Sequence, residues 1–77
     1  MNEEKVLAEF GKTVQKARND KGWSQEKLAE YSALDRTYVS SVERGQRNIS
    51  LINIYKLATA LEMNPGSLLQ MNGGCDE

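Results

Sequence analysis

Apolar side chains recur at helical spacing along most of the chain, in segments separated by polar or glycine-containing breaks. In the first segment the apolar residues, three or four apart, are Val6, Leu7, Phe10, Val14 and Ala17. This spacing predicts an amphipathic helix from Lys5 to Lys21, which Gly22 ends. Gly11 lies inside this helix, and we interpret it as a tolerated defect rather than as a point of close packing.

The segment from Gln25 to Arg44 does not fit one continuous helix. Its apolar or small positions fall into two groups, first Leu28, Ala29, Ala33 and Leu34, then Val39 and Val42. Ser24 and Asp35 precede the two groups, and both side chains can cap the free amides of a helical first turn. The segment is therefore predicted to form two short helices joined by a tight turn, which is a helix-turn-helix.

Two further helices are predicted after this motif. Ser50 caps a fourth helix, and its predicted buried stripe is Leu51, Ile54, Leu57, Ala58 and Leu61. The break Asn64-Pro65-Gly66 precedes a short fifth helix over residues 67–71. No stretch alternates in the manner of a β-strand. We therefore predict an all-α domain of five helices over residues 1–71, followed by a flexible tail over residues 72–77.

The central segment resembles the helix-turn-helix of Cro and the phage repressors, the XRE-like family. The residues that carry the resemblance are Gln25, Ala29, Val39 and Val42. It extends over nearly all of Val6 to Gln70 and implies a lambda-repressor-like fold. The run from Asp35 to Asn48 is similar to the controller proteins of restriction-modification systems, which are small dimeric transcription factors. Many members have glycine where this chain has Ala33, so we expect slight strain in the turn.

The resemblance implies which residues meet DNA. In such proteins the second motif helix lies in the major groove with its first residues at base edges. The expected base-reading residues are Arg36, Thr37, Ser40 and Arg47, and Arg36 can present its guanidinium to guanine O6 and N7. The expected phosphate contacts are Gln25, Tyr38, Ser41, Asn48, Arg18 and Trp23. For Tyr38 and Trp23 a packing role is the alternative, because Trp23 directly precedes a helix cap.

The resemblance also implies an internal ion pair and a dimer. Arg18 and Glu43 occupy the positions at which relatives link the first helix to the end of the recognition helix. A single domain of this size covers few base pairs, so we expect a homodimer on a palindromic site. The apolar residues expected at the dimer interface are Ile52, Tyr55, Leu61, Met63, Leu68, Leu69 and Met71. Some of these can instead complete the core of one subunit.

Composition and charge narrow the range of functions. The chain has 77 residues, one cysteine and no histidine, which excludes an internal disulfide and a His-based or multi-Cys metal site, and no cofactor is expected. A net charge of −1 is low for a DNA-binding protein. Residues 35–50 nevertheless hold three arginines against two acidic residues. Because the sequence shows no signal peptide and no membrane-spanning run, a cytoplasmic location is expected.

The motif predicts a sequence-specific DNA-binding transcriptional regulator, and the resemblance to controller proteins implies that it controls its own gene and a restriction-modification gene. Its expected partners are double-stranded DNA, a second copy of the chain and RNA polymerase. One alternative is an antitoxin-type or phage-repressor-type regulator that also binds a protein partner. Another is an enzyme, but the sequence shows no cluster of carboxylates and no nucleophile beside a base, so catalysis is not expected.

Overall fold

A computed structural model describes residues 2–70, which form five helices. They are α1 (Glu3–Asp20), α2 (Gln25–Ser32), α3 (Arg36–Glu43), α4 (Leu51–Ala60) and α5 (Pro65–Leu68). No strand occurs in this range, and the all-α prediction is confirmed. None of the helices within it is long and apolar enough to span a bilayer. Met71 and the predicted tail over residues 72–77 lie outside the described residues.

Each helix begins at a polar side chain that accepts a hydrogen bond from a first-turn amide. In α1 the Asn2 Oδ1 accepts from the Lys5 amide at 3.1 Å, so the helix starts two residues earlier than the apolar spacing alone predicts. The residues that cap the other four helices are Ser24, Asp35, Ser50 and Asn64. The fifth helix likewise begins early, because Pro65 occupies its first turn.

The four longer helices end in the same way, with a left-handed residue and a pair of closing hydrogen bonds. For α3 the amides of Gly45 and Gln46 donate to the carbonyls of Val42 and Ser41 at 3.0 and 2.9 Å, which is a Schellman motif. The left-handed residues are Gly22, Ala33, Gly45 and Glu62. Ala33 has a φ of 60°. The strain expected in the motif turn is therefore present, at a cost of about 1 kcal/mol.

All five helices contribute to one hydrophobic core. Its buried members are Phe10, Val14, Leu28, Ala29, Val39, Val42, Leu57, Ala58, Leu61 and Leu68. Leu61 and Leu68 are 2% and 0% exposed, so their assignment to the dimer interface is wrong: α5 folds back onto α4 and α1 and encloses them. Leu51 was expected in the core but is 64% exposed, because the buried stripe of α4 starts one turn later.

The interpretation of Gly11 as a tolerated defect is also wrong. A Cβ at this position would lie 2.5 Å from the Val42 carbonyl oxygen and 2.7 Å from that of Glu43. Both atoms belong to the backbone at the end of α3, so they cannot move away as a flexible side chain would. Gly11 therefore allows α1 to approach α3 more closely than any other residue type would permit.

Candidate nucleic-acid interface

The outer face of α3 presents polar side chains, and its inner face is packed against α1 and α2. Val39 and Val42 are buried, whereas Arg36 and Thr37 are exposed and Ser40 is partly exposed. Asp35 caps the helix, its carboxylate accepting from the Thr37 amide at 2.9 Å. Because Arg36 and Ser40 are four residues apart and Thr37 is adjacent, the three expected base-reading residues share one exposed surface.

A buried ion pair joins α1 to the end of α3. Arg18 Nε donates to Glu43 Oε2 at 2.7 Å and Arg18 Nη2 donates to Glu43 Oε1 at 3.0 Å, so the pair is bidentate. Arg18 Nη1 donates to the Trp23 carbonyl at 2.7 Å. Both residues are more than nine-tenths buried. Since the guanidinium points inward and its three nitrogens have internal partners, this geometry does not fit the additional phosphate contact expected of Arg18.

Gln25 and Ser41, two expected phosphate contacts, also have internal partners. The Gln25 side-chain nitrogen Nε2 donates to Glu43 Oε1 at 2.9 Å, so the first residue of α2 is hydrogen-bonded to the same carboxylate as Arg18. The Ser41 hydroxyl donates to the Thr37 carbonyl at 2.9 Å, and this residue is 8% exposed. The Gln25 side chain therefore links α2 to the end of α3, whereas the Ser41 hydroxyl bonds within α3 itself.

Tyr38 connects α3 to α4 and to the loop between them. The Asn53 side-chain amide donates to the Tyr38 hydroxyl at 3.0 Å, and the Arg47 guanidinium lies 5.2 Å from the centre of the Tyr38 ring. This distance allows a cation–π interaction. Arg47 and Asn48 are exposed in the loop, where they are available to DNA. Of the two roles considered for Tyr38, the geometry supports packing.

Trp23 is likewise a packing residue in this structure. Its ring is partly buried against the core and lies 4.9 Å from the ring of Tyr31, centre to centre. The Lys21 ammonium lies 5.1 Å from the indole centre and also pairs with Glu62 at 3.0 Å. The tryptophan therefore closes the gap between the end of α1 and α2, which supports the packing alternative over the phosphate contact.

A second surface is apolar and lies between α2 and α4. Tyr31, Ile52 and Tyr55 line a shallow groove there, and each is more than half exposed. We call these three residues the α2–α4 groove. Leu69 is also exposed, at 51%, and Met63 is partly buried against the core. Of the expected dimer residues, Ile52, Tyr55 and Leu69 are thus available to a partner. Tyr31 was missed, because helical spacing alone does not show which side of α2 faces α4.

Within residues 2–70, no three acidic or cysteine side chains converge to hold a metal ion. The same range contains three other side-chain hydrogen bonds that sequence reasoning did not identify. Asn53 supports Tyr38, as described above, and Arg44 donates hydrogen bonds to Ser40 and Gln46. The contact between Arg44 and Ser40 can be inferred from their four-residue spacing on a helix.

Comparison with known proteins agrees with this geometry. A profile of the helix-turn-helix family matches residues 14–68. The chain is 46% identical to control protein C.BamHI of Bacillus amyloliquefaciens over 71 residues, which cover 88% of each protein. The crystal structure of the restriction-modification controller protein C.AhdI from Aeromonas hydrophila is similar with a TM-score of 0.79 and 58% identity, covering 80% of this chain and 94% of that one. A chain of the restriction-modification controller protein C.Esp1396I, from the crystal structure of its tetramer in complex with its natural 35 base-pair operator, is similar with a TM-score of 0.76 and 35% identity, covering 82% of this chain and 83% of that one.

Proposed function

The chain belongs to the helix-turn-helix family and, within it, to the restriction-modification controller proteins; from this premise we propose that it binds a palindromic operator as a homodimer. It is a DNA-binding transcriptional regulator, as are the controllers it resembles. Each subunit presents α3 to one major groove, and two-fold symmetry places the second copy about one helical turn further along the duplex.

Base reading is assigned to Arg36, Thr37 and Ser40 on α3 and to Arg47 in the following loop. The observation that carries this proposal is the contrast between the two sides of α3: an exposed polar face outside and a buried, hydrogen-bonded face inside. Arg36 lies at the first helical position, which in this class of motif faces base edges. A bidentate contact from such an arginine to guanine discriminates by about 1–3 kcal/mol.

Phosphate contacts are assigned to the exposed Asn48 and to the start of α2, whose positive dipole end favours an anion. Arg47, which is assigned to base reading, extends from the same loop as Asn48. Because the overall charge is −1, non-specific affinity for DNA is expected to be low. Discrimination between sequences then depends mainly on the base contacts of α3.

The dimer interface is assigned to Ile52 and Tyr55 on α4 and to Leu69 directly after α5, with Met63 at the edge. Ile52 and Tyr55 line the α2–α4 groove, and exposed apolar side chains grouped in this way are typical of surfaces that a partner covers. The operator complex of the similar C.Esp1396I controller contains a tetramer, so assembly of several copies on one operator is a feature of that relative.

The remaining roles follow from the family. We assign to this chain control of its own gene and of a neighbouring restriction-modification gene, with RNA polymerase as a further partner. It acts by binding and not by catalysis, and it needs no cofactor. We place the protein in the cytoplasm, where such a regulator binds operators and RNA polymerase. Residues 1–71 act as one domain.

The experiment that tests this function is selection from a library of randomised DNA duplexes, followed by anisotropy titration of the selected duplex and a scrambled one. The unmodified chain should enrich a palindrome and bind it at least tenfold more tightly. Arg36→Ala should remove most of that preference while leaving dimerisation, measured by sedimentation, intact. Lys12→Ala is the matched control, since it removes one exposed positive charge from α1. Equal binding of both duplexes by the unmodified chain contradicts the function, and an Arg36→Ala variant that still selects the palindrome contradicts the assigned reader.

A further inference from the structure

Arg44, the residue that caps the C-terminal end of α3, donates to two neighbouring side chains. Its Nη1 donates to the Ser40 hydroxyl oxygen, one turn earlier, and its Nε donates to Gln46 Oε1 at 3.2 Å. Arg44 and Gln46 are exposed and Ser40 is partly exposed. We call these three residues the Arg44 cluster. It continues the polar surface of α3 beyond Ser40, toward the loop that carries Arg47.

The backbone of the Arg44 cluster is held in place by the end of the helix. The Gln46 amide donates to the Ser41 carbonyl at 2.9 Å, and Gly45 takes a left-handed conformation with a φ of 74°. A Cβ on Gly45 would lie 2.9 Å from the Ala8 Cα, so this turn is packed directly against α1. The fold therefore sets the direction in which the Gln46 side chain leaves the backbone, and the hydrogen bond from Arg44 sets the orientation of the side-chain amide.

These hydrogen bonds change what the two neutral side chains can offer. A glutamine has an acceptor oxygen and a two-donor nitrogen, and a serine hydroxyl has one donor and two acceptor sites. Arg44 takes up one of the two acceptor sites of the Gln46 oxygen and one acceptor site of Ser40, and it leaves the Gln46 side-chain nitrogen and the Ser40 hydroxyl hydrogen unused. The bidentate pair with adenine N6 and N7 needs both the oxygen and the nitrogen of a glutamine that can turn toward the base, so holding the Gln46 side-chain amide on Arg44 disfavours that pair relative to a free glutamine.

The positive charge of Arg44 also favours hydrogen-bond acceptors, which carry partial or full negative charge. The adjacent carboxylate of Glu43 is buried and paired with Arg18, so it is turned away from Arg44. In the described part of the chain, the side-chain hydrogen bonds of Arg44 go to neutral groups and leave its positive charge without a salt bridge. The cluster thus combines outward donors with a positive charge.

We propose that Arg44 is a specificity-determining positioning residue, which makes Ser40 and Gln46 donors toward DNA and so selects hydrogen-bond acceptors. This inference rests on the proposed function. The acceptors are purine N7, guanine O6 or thymine O4 at a base edge, or the oxygens of a phosphate. All of these groups are hydrogen-bond acceptors, and the experiment below distinguishes a base acceptor from a phosphate acceptor.

The test compares base preferences rather than affinity, because loss of any positive charge weakens DNA binding. The unmodified chain, Arg44→Ala and Lys12→Ala are each selected against the same randomised duplex library. Arg44→Ala releases the Gln46 side-chain amide, which can then turn toward a base, so at one position per half-site the variant should gain a preference of about fivefold or more for adenine, which a free glutamine pairs bidentately. The positions read by Arg36 should not change, and Lys12→Ala should reproduce the original preferences throughout. Thermal unfolding of each variant checks that it remains folded.

Duplexes with single-atom changes then identify the acceptor. Replacing a purine N7 by carbon at the affected position should weaken binding of the unmodified chain several-fold and that of Arg44→Ala less. Removing the adenine amino group, a donor, should leave the unmodified chain unaffected. A methylphosphonate at a nearby phosphate is the remaining change. If only this change weakens binding of the unmodified chain more than binding of Arg44→Ala, the acceptor is a phosphate, and Ser40 and Gln46 still act as donors.

Three results overturn the inference. They are unchanged base preferences in Arg44→Ala, weaker binding of the unmodified chain when the adenine amino group is absent, and no response of either protein to the base or phosphate changes. Failure of the proposed function is a separate outcome, because in that case the unmodified chain enriches no duplex at all.

Discussion

The two sides of α3 are held by different kinds of interaction. The inner side is fixed by Val39 and Val42 in the core and by the Glu43 carboxylate, which accepts from Arg18 and Gln25 while more than nine-tenths buried. The outer side carries Arg36, which is exposed, and the Arg44 cluster, whose hydrogen bonds lie at the surface. Substitutions on the inner side should therefore cost folding free energy, and substitutions on the outer side should change DNA recognition.

The largest effect is expected from removing one partner of the buried ion pair. Glu43→Ala leaves the Arg18 guanidinium buried without its counter-charge, which should lower the free energy of unfolding by about 3–5 kcal/mol. Urea denaturation at one fixed protein concentration measures this loss, since stability of a dimer depends on concentration.

The matched control for the ion pair is the exposed pair of Lys16 and Asp20, which are 3.2 Å apart with side chains 78% and 65% exposed. Asp20→Ala should change stability by less than about 0.5 kcal/mol, because water screens such pairs. Equal losses for Glu43→Ala and Asp20→Ala would show that the buried pair does not brace α3.

An intermediate effect is expected from closing the space between α1 and α3. Gly11→Ala places a methyl group against two backbone carbonyl oxygens, so α3 must shift, at a cost of about 1–3 kcal/mol. DNA affinity should fall as well, because the reading face moves with the helix. Gly66→Ala serves as the control, since its added methyl group meets only the Asn64 side chain at 3.2 Å. A Gly11→Ala variant with unchanged stability and affinity would mean that the close approach is not required.

The smallest effect is expected at the turn of the motif. Ala33 has a left-handed backbone, which glycine adopts without steric cost, so Ala33→Gly should raise the free energy of unfolding by about 0.5–1 kcal/mol. Thermal unfolding followed by circular dichroism measures the change. Ala60→Gly, in the right-handed backbone of α4, should have the opposite sign. If both variants lose stability, the turn is not strained.

The sequence by itself determined the helices and the motif. Capping residues such as Ser24 and Asp35 and the stop at Gly22 are local signals, because they act within one turn of the chain. The candidate readers Arg36 and Thr37 could be placed on the exposed face for the same reason: the periodicity of Val39 and Val42 defines the inner face of so short a helix. The pairing of Arg18 with Glu43 depended on the family resemblance and not on spacing.

Only the tertiary structure decided which side chains already have hydrogen-bond or packing partners within the protein. Gln25 looks like a surface polar residue in the sequence, yet its side-chain amide donates to the Glu43 carboxylate, which lies eighteen residues away in the chain and is brought close by folding. Leu68 looks like surplus apolar surface until α5 folds back over α4, and Gly11 looks like a defect until α1 meets the end of α3. The physical reason is that local periodicity fixes the direction in which a side chain points, whereas burial and hydrogen bonding also depend on which distant segment occupies that direction.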